Sequence, residues 1–332
     1  MSFNRALHRS ILAILVILSA ASGLRAQTPL KSAAFTPGSW SLVLLPDTQY
    51  YSYSYPGLFT LQTHWIAKNK DKYNIRYVLG LGDVTDRNTT REWRHAKEAI
   101  DELDGRVPYA LASGNHDYTP HGESVSGRSG INEFFPPAKF EKWPTFGGVM
   151  KQGDITNSYH LFSAGGTDWI VIVLQWAPTD AAVNWANKLL AKYPKRKAIL
   201  VTHAYLYDGN VRYDFAKNGN KQKWNLRSYT RQNCNDGEEL WQKLVRKNNF
   251  AMVFCGHVDI HDYCLVVSRN DRGKRVYQMM ADYQAHKLGG EAYLRILEFL
   301  PDGKTVHVKS YSPLYDKYLD DPGGQFSFEL DR

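Results

Sequence analysis

Residues 250–261, FAMVFCGHVDIH, give the clearest indication of the fold of this chain. The first five residues of this stretch are apolar, which is typical of a short β-strand buried on both faces. The strand then ends in a Cys-Gly pair, and His257, Asp259 and His261 follow at alternate positions. Alternate side chains of an extended segment lie on the same side, so this strand end predicts a metal-binding edge.

Four other apolar runs end in the same way, in side chains that can bind a metal ion. SLVLLPD ends at Asp47, IRYVLGLGD at Asp83, PYALASGNHD at Asn115, His116 and Asp117, and KAILVTH at His203. Helical patterns separate most of these runs; TTREWRHAKEAIDEL, for example, opens with Thr89 and Glu92 in capping-box spacing. Strands that alternate with helices predict a largely parallel sheet, whose strands end at one edge. We therefore expect the five strand ends to form a single site.

Composition and charge describe an ordinary globular protein that is mildly basic. Of the 332 residues, 43% are hydrophobic and 22% are charged. The formal charge is +8, and three arginines lie in residues 1–26, so the rest of the chain carries +5. That excess favours anionic small substrates or surfaces only weakly. Three cysteines are too few for a disulfide scaffold and allow one bridge at most; they are Cys234, Cys255 and Cys264.

The chain divides into several expected segments. Residues 1–26 place Arg5 and Arg9 before an apolar run too short to span a bilayer, which predicts a signal peptide and a secreted or periplasmic protein. An uncleaved anchor is the alternative, and no stable membrane span is expected once the signal is removed. The other segments are a linker (27–40), one domain (41–313) with insertions near 118–154 and 206–237, and a tail (314–332). Connections this long are candidates for substrate contact. The later run CLVVSRNDRGKRVYQMMADY predicts a β-hairpin.

Taken in order, the motifs resemble those of the calcineurin-like metallophosphoesterase family. They are Asp47-x-Gln49, Gly82-Asp83-x-x-Asp86, Gly114-Asn115-His116-Asp117, a lone His203 after a strand, and Gly256-His257-x-Asp259. The segments PDTQYYS and GNHDY are similar to a secreted bacterial branch of the family. The resemblance covers about residues 41–313 and implies an α/β (α+β) fold: a four-layer αββα sandwich of two mixed β-sheets flanked by helices. It also implies a dinuclear metal centre.

The resemblance implies seven metal ligands. They are Asp83 as the bridge, Asp47, Gln49 and Asp259 at the first metal, and Asn115, His203 and His257 at the second. The family usually has histidine where this chain has Gln49 and Asp259, so the first position becomes rich in oxygen ligands. We expect two divalent ions, manganese, iron or zinc, with magnesium or calcium as alternatives at the oxygen-rich position. His261 is the alternative ligand to Asp259, and loose binding of the first metal is a further alternative.

The function implied by the resemblance is hydrolysis of a phosphoric ester, either a monoester or a diester, by a hydroxide that bridges the metals. His116 would protonate the leaving group, and Asp86 or Asp117 would orient its imidazole. Tyr50, Tyr118 and Tyr205 lie within two residues of candidate site positions, and His121 lies in a connection near the expected mouth of the site. All four are therefore candidates for substrate contact.

Two alternatives stay open at this point. The insertion near 206–237 interleaves basic and aromatic residues, which suits either a nucleotide or sugar-phosphate contact or a solvated loop that packs its aromatic rings on the domain. Nucleic acid is not specifically indicated. The rival from another class is a catalytically impaired family member that binds a glycan, nucleic acid or protein partner.

Overall fold

The computed structural model describes residues 28–30, 34–118, 128–230 and 233–331. The expected signal peptide lies outside the described residues, so export of the protein stays a prediction. His121 also lies outside them, and its contact with a substrate stays a prediction as well. Within the described part of the chain, no helix has the length and apolar character needed to cross a membrane.

Two large mixed sheets form the centre of the molecule. The first contains, in spatial order, β1 (Thr28–Pro29), β17 (Gln325–Glu329), β15 (Thr305–Ser312), β14 (Leu294–Phe299), β2 (Trp40–Leu45), β3 (Ile75–Gly80) and β4 (Tyr109–Leu111), with β16 (Lys317–Tyr318) beside β15. The second contains β12 (Tyr263–Arg269), β13 (Arg275–Ala281), β11 (Phe250–Cys255), β8 (Lys197–Val201), β7 (Thr167–Val173), β6 (Asp154–Ala164) and β5 (Phe146–Lys151). A small hairpin joins β9 (Leu206–Tyr207) to β10 (Val211–Arg212).

The helices lie mainly in the connections between strands. The longer ones are α1 (Gln49–Ser54), α2 (Pro56–Asn69), α3 (Thr90–Asp101) and α6 (Asp180–Lys192). Single turns are α4 (Ile131–Phe134), α5 (Pro137–Phe140), α7 (Phe215–Asn218), α8 (Leu226–Tyr229), α9 (Gly237–Leu240) and α10 (Lys287–Gly290). Asn115–Asp117 and Gly219–Lys221 form 3-10 turns, and Trp241–Val245 forms a π-helical turn.

Alternation along the strands produces the four layers. In β2, Leu42 and Leu44 point into the core between the two sheets, whereas Val43 points to the outer face. There it meets helices α2 and α3, which contribute Phe59 and Trp93. Helix α6 covers the outer face of the second sheet in the same way. The expected αββα sandwich of mixed sheets is confirmed, because every central strand has an apolar layer on both sides.

Helix α3 begins where its sequence predicts. The Thr89 hydroxyl accepts from the Glu92 main-chain N–H at 3.3 Å, and the Glu92 carboxylate accepts from the Thr89 N–H at 3.0 Å. This reciprocal capping box satisfies two donors that the first turn leaves without partners. Trp93, Ala96 and Ile100 then fall on the buried face. The cap therefore sets which face of the helix covers the sheet.

Parallel pairing brings the expected strand ends to one edge. Strands β2, β3 and β4 are mutually parallel in the first sheet, and β7, β8, β11 and β13 are parallel in the second. Residues that follow the carboxyl ends of these strands are thereby collected beyond the sheets, as is usual in open α/β architectures.

Three expectations about the segments are corrected. Residues 314–332 do not form a tail, because β17 pairs with both β15 and β1 and buries Phe326 and Phe328. The expected linker contributes β1 to the same sheet. In the first insertion, the described residues from 128 onward bury Phe135 and Phe140 in the outer core, so this part packs on the domain. All three cysteines lie within the described residues, and none is in a disulfide.

Candidate metal centre

Three strand-end residues converge at the edge shared by the two sheets. Asp83 follows β3 of the first sheet, and His203 and His257 follow β8 and β11 of the second. All three are buried, and one ligand atom from each lies within 4.8 Å of the others. A carboxylate and two imidazoles at this separation are the donor set of a divalent metal site.

His203 is held in one orientation. Its Nδ1 donates to the carbonyl oxygen of Leu81 at 3.0 Å, which leaves Nε2 facing Asp83 Oδ2 at 3.0 Å. Burial lowers the pKa of His203, but the charge of Asp83 outweighs burial and raises it above the usual value. For Asp83 the effects have the opposite signs: burial raises its pKa, but the charges of His203 and His116 outweigh burial and lower it to about 2. The main-chain contact fixes which nitrogen of His203 faces the site.

His257 completes the cluster. Its Nε2 donates to the carbonyl oxygen of Trp224 at 2.8 Å, and its Nδ1 lies 3.2 Å from His203 Nε2. Burial and the charge of His203 lower the pKa of His257 to about 3, so the ring is neutral. With the other nitrogen of each ring bonded to a main-chain oxygen, Nδ1 of His257 and Nε2 of His203 are the two nitrogens that could bind one cation. The φ angle of His257 is 81°, a costly left-handed conformation that the surrounding contacts must enforce.

A second group of acceptors lies beside this cluster. Asp47 is buried, and its Oδ2 accepts from the main-chain N–H of His257 at 2.9 Å. Among the described residues, Asp47 Oδ1 and Gln49 Oε1 find no hydrogen-bond partner. Burial and the charges of Asp282 and Asp83 raise the pKa of Asp47 well above its usual value. Buried carboxylates crowded together without a cation are costly. The residues present therefore fit divalent cations at both groups of acceptors.

Asp259 and His261 are not brought into the cluster. Asp259 is exposed, and the side chain of His261 is 64% exposed with its Nδ1 2.7 Å from Asp208 Oδ1. Strand β11 ends at Cys255, and the positive φ of His257 breaks the alternation that supported the expectation beside the family motif. Asp282 was not identified from the sequence. It follows β13, is 1% exposed and interacts with Asp47. The signal was present, since VYQMMAD is a sixth apolar run that ends in an acid.

His116 lies against the cluster on a 3-10 turn. Its main-chain N–H donates to Asp83 Oδ1 at 2.9 Å, and its Nδ1 donates to the main-chain oxygen of Asp86 at 2.7 Å. Burial lowers the pKa of His116, but the charge of Asp83 and the Asp86 carbonyl outweigh burial and raise it. The side chain is 24% exposed, so Nε2 is the nitrogen left to meet a substrate.

Of the two acids expected to orient His116, Asp86 contacts the ring and Asp117 does not. The carboxylate of Asp117 accepts main-chain N–H groups of Val84, Thr85 and Gly114 at 2.8 to 3.1 Å. Burial and the charge of Asp83 raise the pKa of Asp117 to about 6. Asp117 therefore ties the loop after β3 to the loop after β4.

The candidates for substrate contact fall into different environments. Tyr205 is fully buried and donates its hydroxyl to Gln278 Oε1 at 3.0 Å, so its expected contact with a substrate is wrong. Tyr118 is partly buried, and its hydroxyl lies 3.0 Å from the Ser113 hydroxyl. Tyr50 is 37% exposed and follows Gln49 on α1, and burial and the charge of Asp86 raise the pKa of its hydroxyl.

The second insertion folds over His257. The rings of Tyr213 and Tyr229 lie with their centroids 6.0 Å from that of His257. The guanidinium of Arg212 forms hydrogen bonds within the domain, since it donates to Gln278 and Glu238 at 2.7 and 2.8 Å. The aromatic side chains thus pack on the domain, and three lysines stay exposed on the insertion: Lys217, Lys221 and Lys223.

Comparison with known proteins agrees with this geometry. Residues 42–260, more than half of the chain, match the family model of the calcineurin-like phosphoesterases, so the chain belongs to that family. Uncharacterized protein YvnB of Bacillus subtilis is 33% identical over 310 residues, covering 88% of this chain and 22% of that protein. Probable inactive purple acid phosphatase 27 of Arabidopsis thaliana is 23% identical over 257 residues, covering 75% of this chain and 38% of that protein. The chain thus spans well under half the length of both relatives.

Solved structures share the fold at low sequence identity. Purple acid phosphatase PPD1 from yellow lupin superposes with a TM-score of 0.54 at 15% identity, over 92% of this chain and 55% of that one. GAP50, the anchor in the inner membrane complex of Plasmodium, gives 0.50 at 11% identity, over 89% of this chain and 90% of that one.

Proposed function

We propose that the protein hydrolyses phosphoric esters with two divalent cations held at the clustered strand ends. The observation that carries the proposal is the convergence of Asp83, His203 and His257, whose ligand atoms lie within 4.8 Å of one another. Membership of the calcineurin-like phosphoesterases supports the same class of reaction.

The donor set divides between two positions around Asp83. Asp47 and Gln49 supply oxygen atoms to the first, where manganese, iron, magnesium or calcium would be preferred. The second takes Asn115, His203 and His257, a set that also suits zinc. When bound, two cations would neutralise charge on the phosphoryl group and would lower the pKa of water toward neutral pH, which supplies the nucleophile. Asp83 would serve both positions, because its Oδ2 lies 3.0 Å from His203 Nε2 and its Oδ1 accepts from the main-chain N–H of His116.

His116 is the proposed acid for the leaving group. Its Nδ1 proton is engaged by the main-chain oxygen of Asp86, which directs Nε2 outward. In the protonated form, Nε2 gives its proton to the departing oxygen, so an alkoxide need not leave as an anion. Because the His116 N–H also contacts Asp83, the acid and the metal ligand are held in fixed relation.

The test is an activity assay on protein that has been stripped of metal. The chain is reconstituted separately with manganese, iron, zinc, magnesium and calcium, and assayed on p-nitrophenyl phosphate and bis(p-nitrophenyl) phosphate. We expect activity only after metal addition, its loss in His203→Ala, and its retention in the control His64→Ala, which changes an exposed histidine. The preferred ester assigns the substrate class. Absence of hydrolysis with every cation would overturn the proposal and favour a binding protein.

A further inference from the structure

We infer that Asp282 is a carboxylate ligand of the metal position formed by Asp47 and Gln49, in the role that the sequence had suggested for Asp259. The inference rests on the proposed two-cation site and adds a residue outside its motifs. It makes β13 the sixth strand whose carboxyl end contributes to the centre.

Strand register places Asp282 beside a ligand. Strand β13 runs parallel to β11, with Cys255 opposite Met280. His257 and Asp282 each come two residues after this last pair, so both follow the carboxyl ends of neighbouring parallel strands. Asp282 is 1% exposed, as expected for a side chain directed at the protein interior and not at solvent.

The contacts of Asp282 favour a ligand. After burial, the charge of Asp282 is the largest influence that raises the pKa of Asp47, and Asp47 Oδ1 has no hydrogen-bond partner among the described residues. Each Asp282 oxygen accepts one hydrogen bond from Gln284, Oδ1 from the main-chain N–H at 3.0 Å and Oδ2 from Nε2 at 2.7 Å. A carboxylate oxygen has two lone pairs, so each keeps one for a cation. Gln284 then acts as the outer partner that fixes the carboxylate.

The buried charges around Asp282 also favour its role as a metal ligand. Asp47, Asp83 and Asp282 are all at most 3% exposed. Three acids this deeply buried are costly to keep ionised together, and a cation among them would offset that cost. The buried amide oxygen of Gln49, which has no partner among the described residues, supplies a fourth hard donor. The position therefore suits a hard ion such as Mn²⁺.

The experiment measures Mn²⁺ binding to the full chain by isothermal titration calorimetry, with metal content checked after gel filtration. We expect two ions in the wild type, at least about tenfold weaker binding of one ion in Asp282→Asn, and no change in the control Asp259→Asn. Wild-type affinity in Asp282→Asn, or weakened binding in Asp259→Asn, would overturn the inference and leave the two-cation proposal standing. A wild type that binds no metal would instead overturn the proposed function, and the inference with it.

A thermal measurement separates a ligand from a residue that only supports the fold. Without metal, Asp282→Asn relieves carboxylate repulsion, so we expect its melting temperature to equal or exceed that of the wild type. Its stabilisation by added Mn²⁺ should be smaller. A lower melting temperature without metal, combined with the full Mn²⁺ stabilisation, would show a structural role and overturn the inference. Asp282→Glu keeps the charge and should recover part of the Mn²⁺ stabilisation.

Discussion

His257 and Trp224 are joined by a 2.8 Å hydrogen bond from the imidazole Nε2 to the main-chain oxygen. The bond couples the end of β11 to the second insertion. It also decides that Nδ1 is the nitrogen of His257 that faces His203. Two features position the Trp224 carbonyl. Trp224 has a left-handed backbone conformation with a φ of 55°. The Tyr213 hydroxyl donates to the preceding carbonyl, that of Lys223, at 2.9 Å. The insertion thus orients a metal ligand.

The first prediction concerns Tyr213→Phe. Loss of the hydroxyl frees the Lys223 carbonyl and loosens the turn that presents the Trp224 oxygen to His257. We expect binding of one metal ion to weaken by about tenfold and stability to fall by about 1 kcal/mol. Metal titration and denaturant unfolding measure the two effects. Tyr207→Phe, in the same insertion, is the control and should bind metal normally. Unchanged metal affinity in Tyr213→Phe would contradict the coupling.

The second prediction concerns His116→Asn. The amide can still donate to the Asp86 carbonyl, but it cannot deliver a proton to a leaving group. For an alkyl phosphate, kcat should fall by about 10²- to 10⁴-fold, and for a nitrophenyl ester by much less, because nitrophenolate leaves readily without a proton. Metal content should not change.

Steady-state kinetics on the two ester types provide that comparison. His95→Asn is the matched control, since His95 Nδ1 also donates to a main-chain oxygen, that of Ser52 at 2.8 Å. An equal loss of kcat on both esters would argue against a proton-donating role for His116.

The third prediction concerns Gly256→Ala. A Cβ at Gly256 would lie 1.9 Å from Asp47 Oδ1, far inside contact distance, so Asp47 must move away from His257. We expect loss of one bound metal and a destabilisation of about 1 to 3 kcal/mol. Gly57→Ala in α2 meets no atom within 4 Å and should be neutral or stabilising by about 0.5 kcal/mol. Normal metal content in Gly256→Ala would show that Asp47 is not a ligand.

The layers and most strand ends were predictable because they depend on local patterns. Apolar runs of five or six residues define strands buried on both faces, and a polar residue directly after such a run must lie at the sheet edge. This reasoning located Asp83, His203 and His257, which the structure brings together.

The expectations that differ from the structure concern residues whose position depends on backbone direction or on tertiary contacts. The role of Asp259 depends on the family motif and on strand alternation past His257, and the positive φ of His257 ends that alternation. Asp282 follows a run that the sequence assigns to a β-hairpin, and the polar Gln278 in that run is nevertheless buried and bonded to Tyr205. Tyr205 itself is two residues from His203, but nearness along the chain does not fix where a side chain points. Each error required three-dimensional information that periodicity does not contain.

The last prediction concerns the pH dependence of stability. His160 in β6 is fully buried, lies between the rings of Tyr77 and Phe146, and has a pKa that burial lowers to about 3. In the unfolded chain its pKa is about 6.5, so the unfolded state binds more protons between these values. The stability associated with neutral His160 is complete above pH 6.5 and is lost as pH falls toward 3, at about 1.4 kcal/mol per pH unit.

His160→Leu removes this titration. Relative to the variant, the wild type should lose about 2 kcal/mol of unfolding free energy between pH 7 and pH 5, measured by denaturant unfolding at each pH. Comparing the two proteins cancels the acids that they share, so the difference reports this ring alone. The same change at His64, whose side chain is 57% exposed, should give a curve parallel to that of the wild type. Parallel curves for wild type and His160→Leu would mean that His160 is protonated inside the fold, with a charge partner that its buried, aromatic surroundings do not provide.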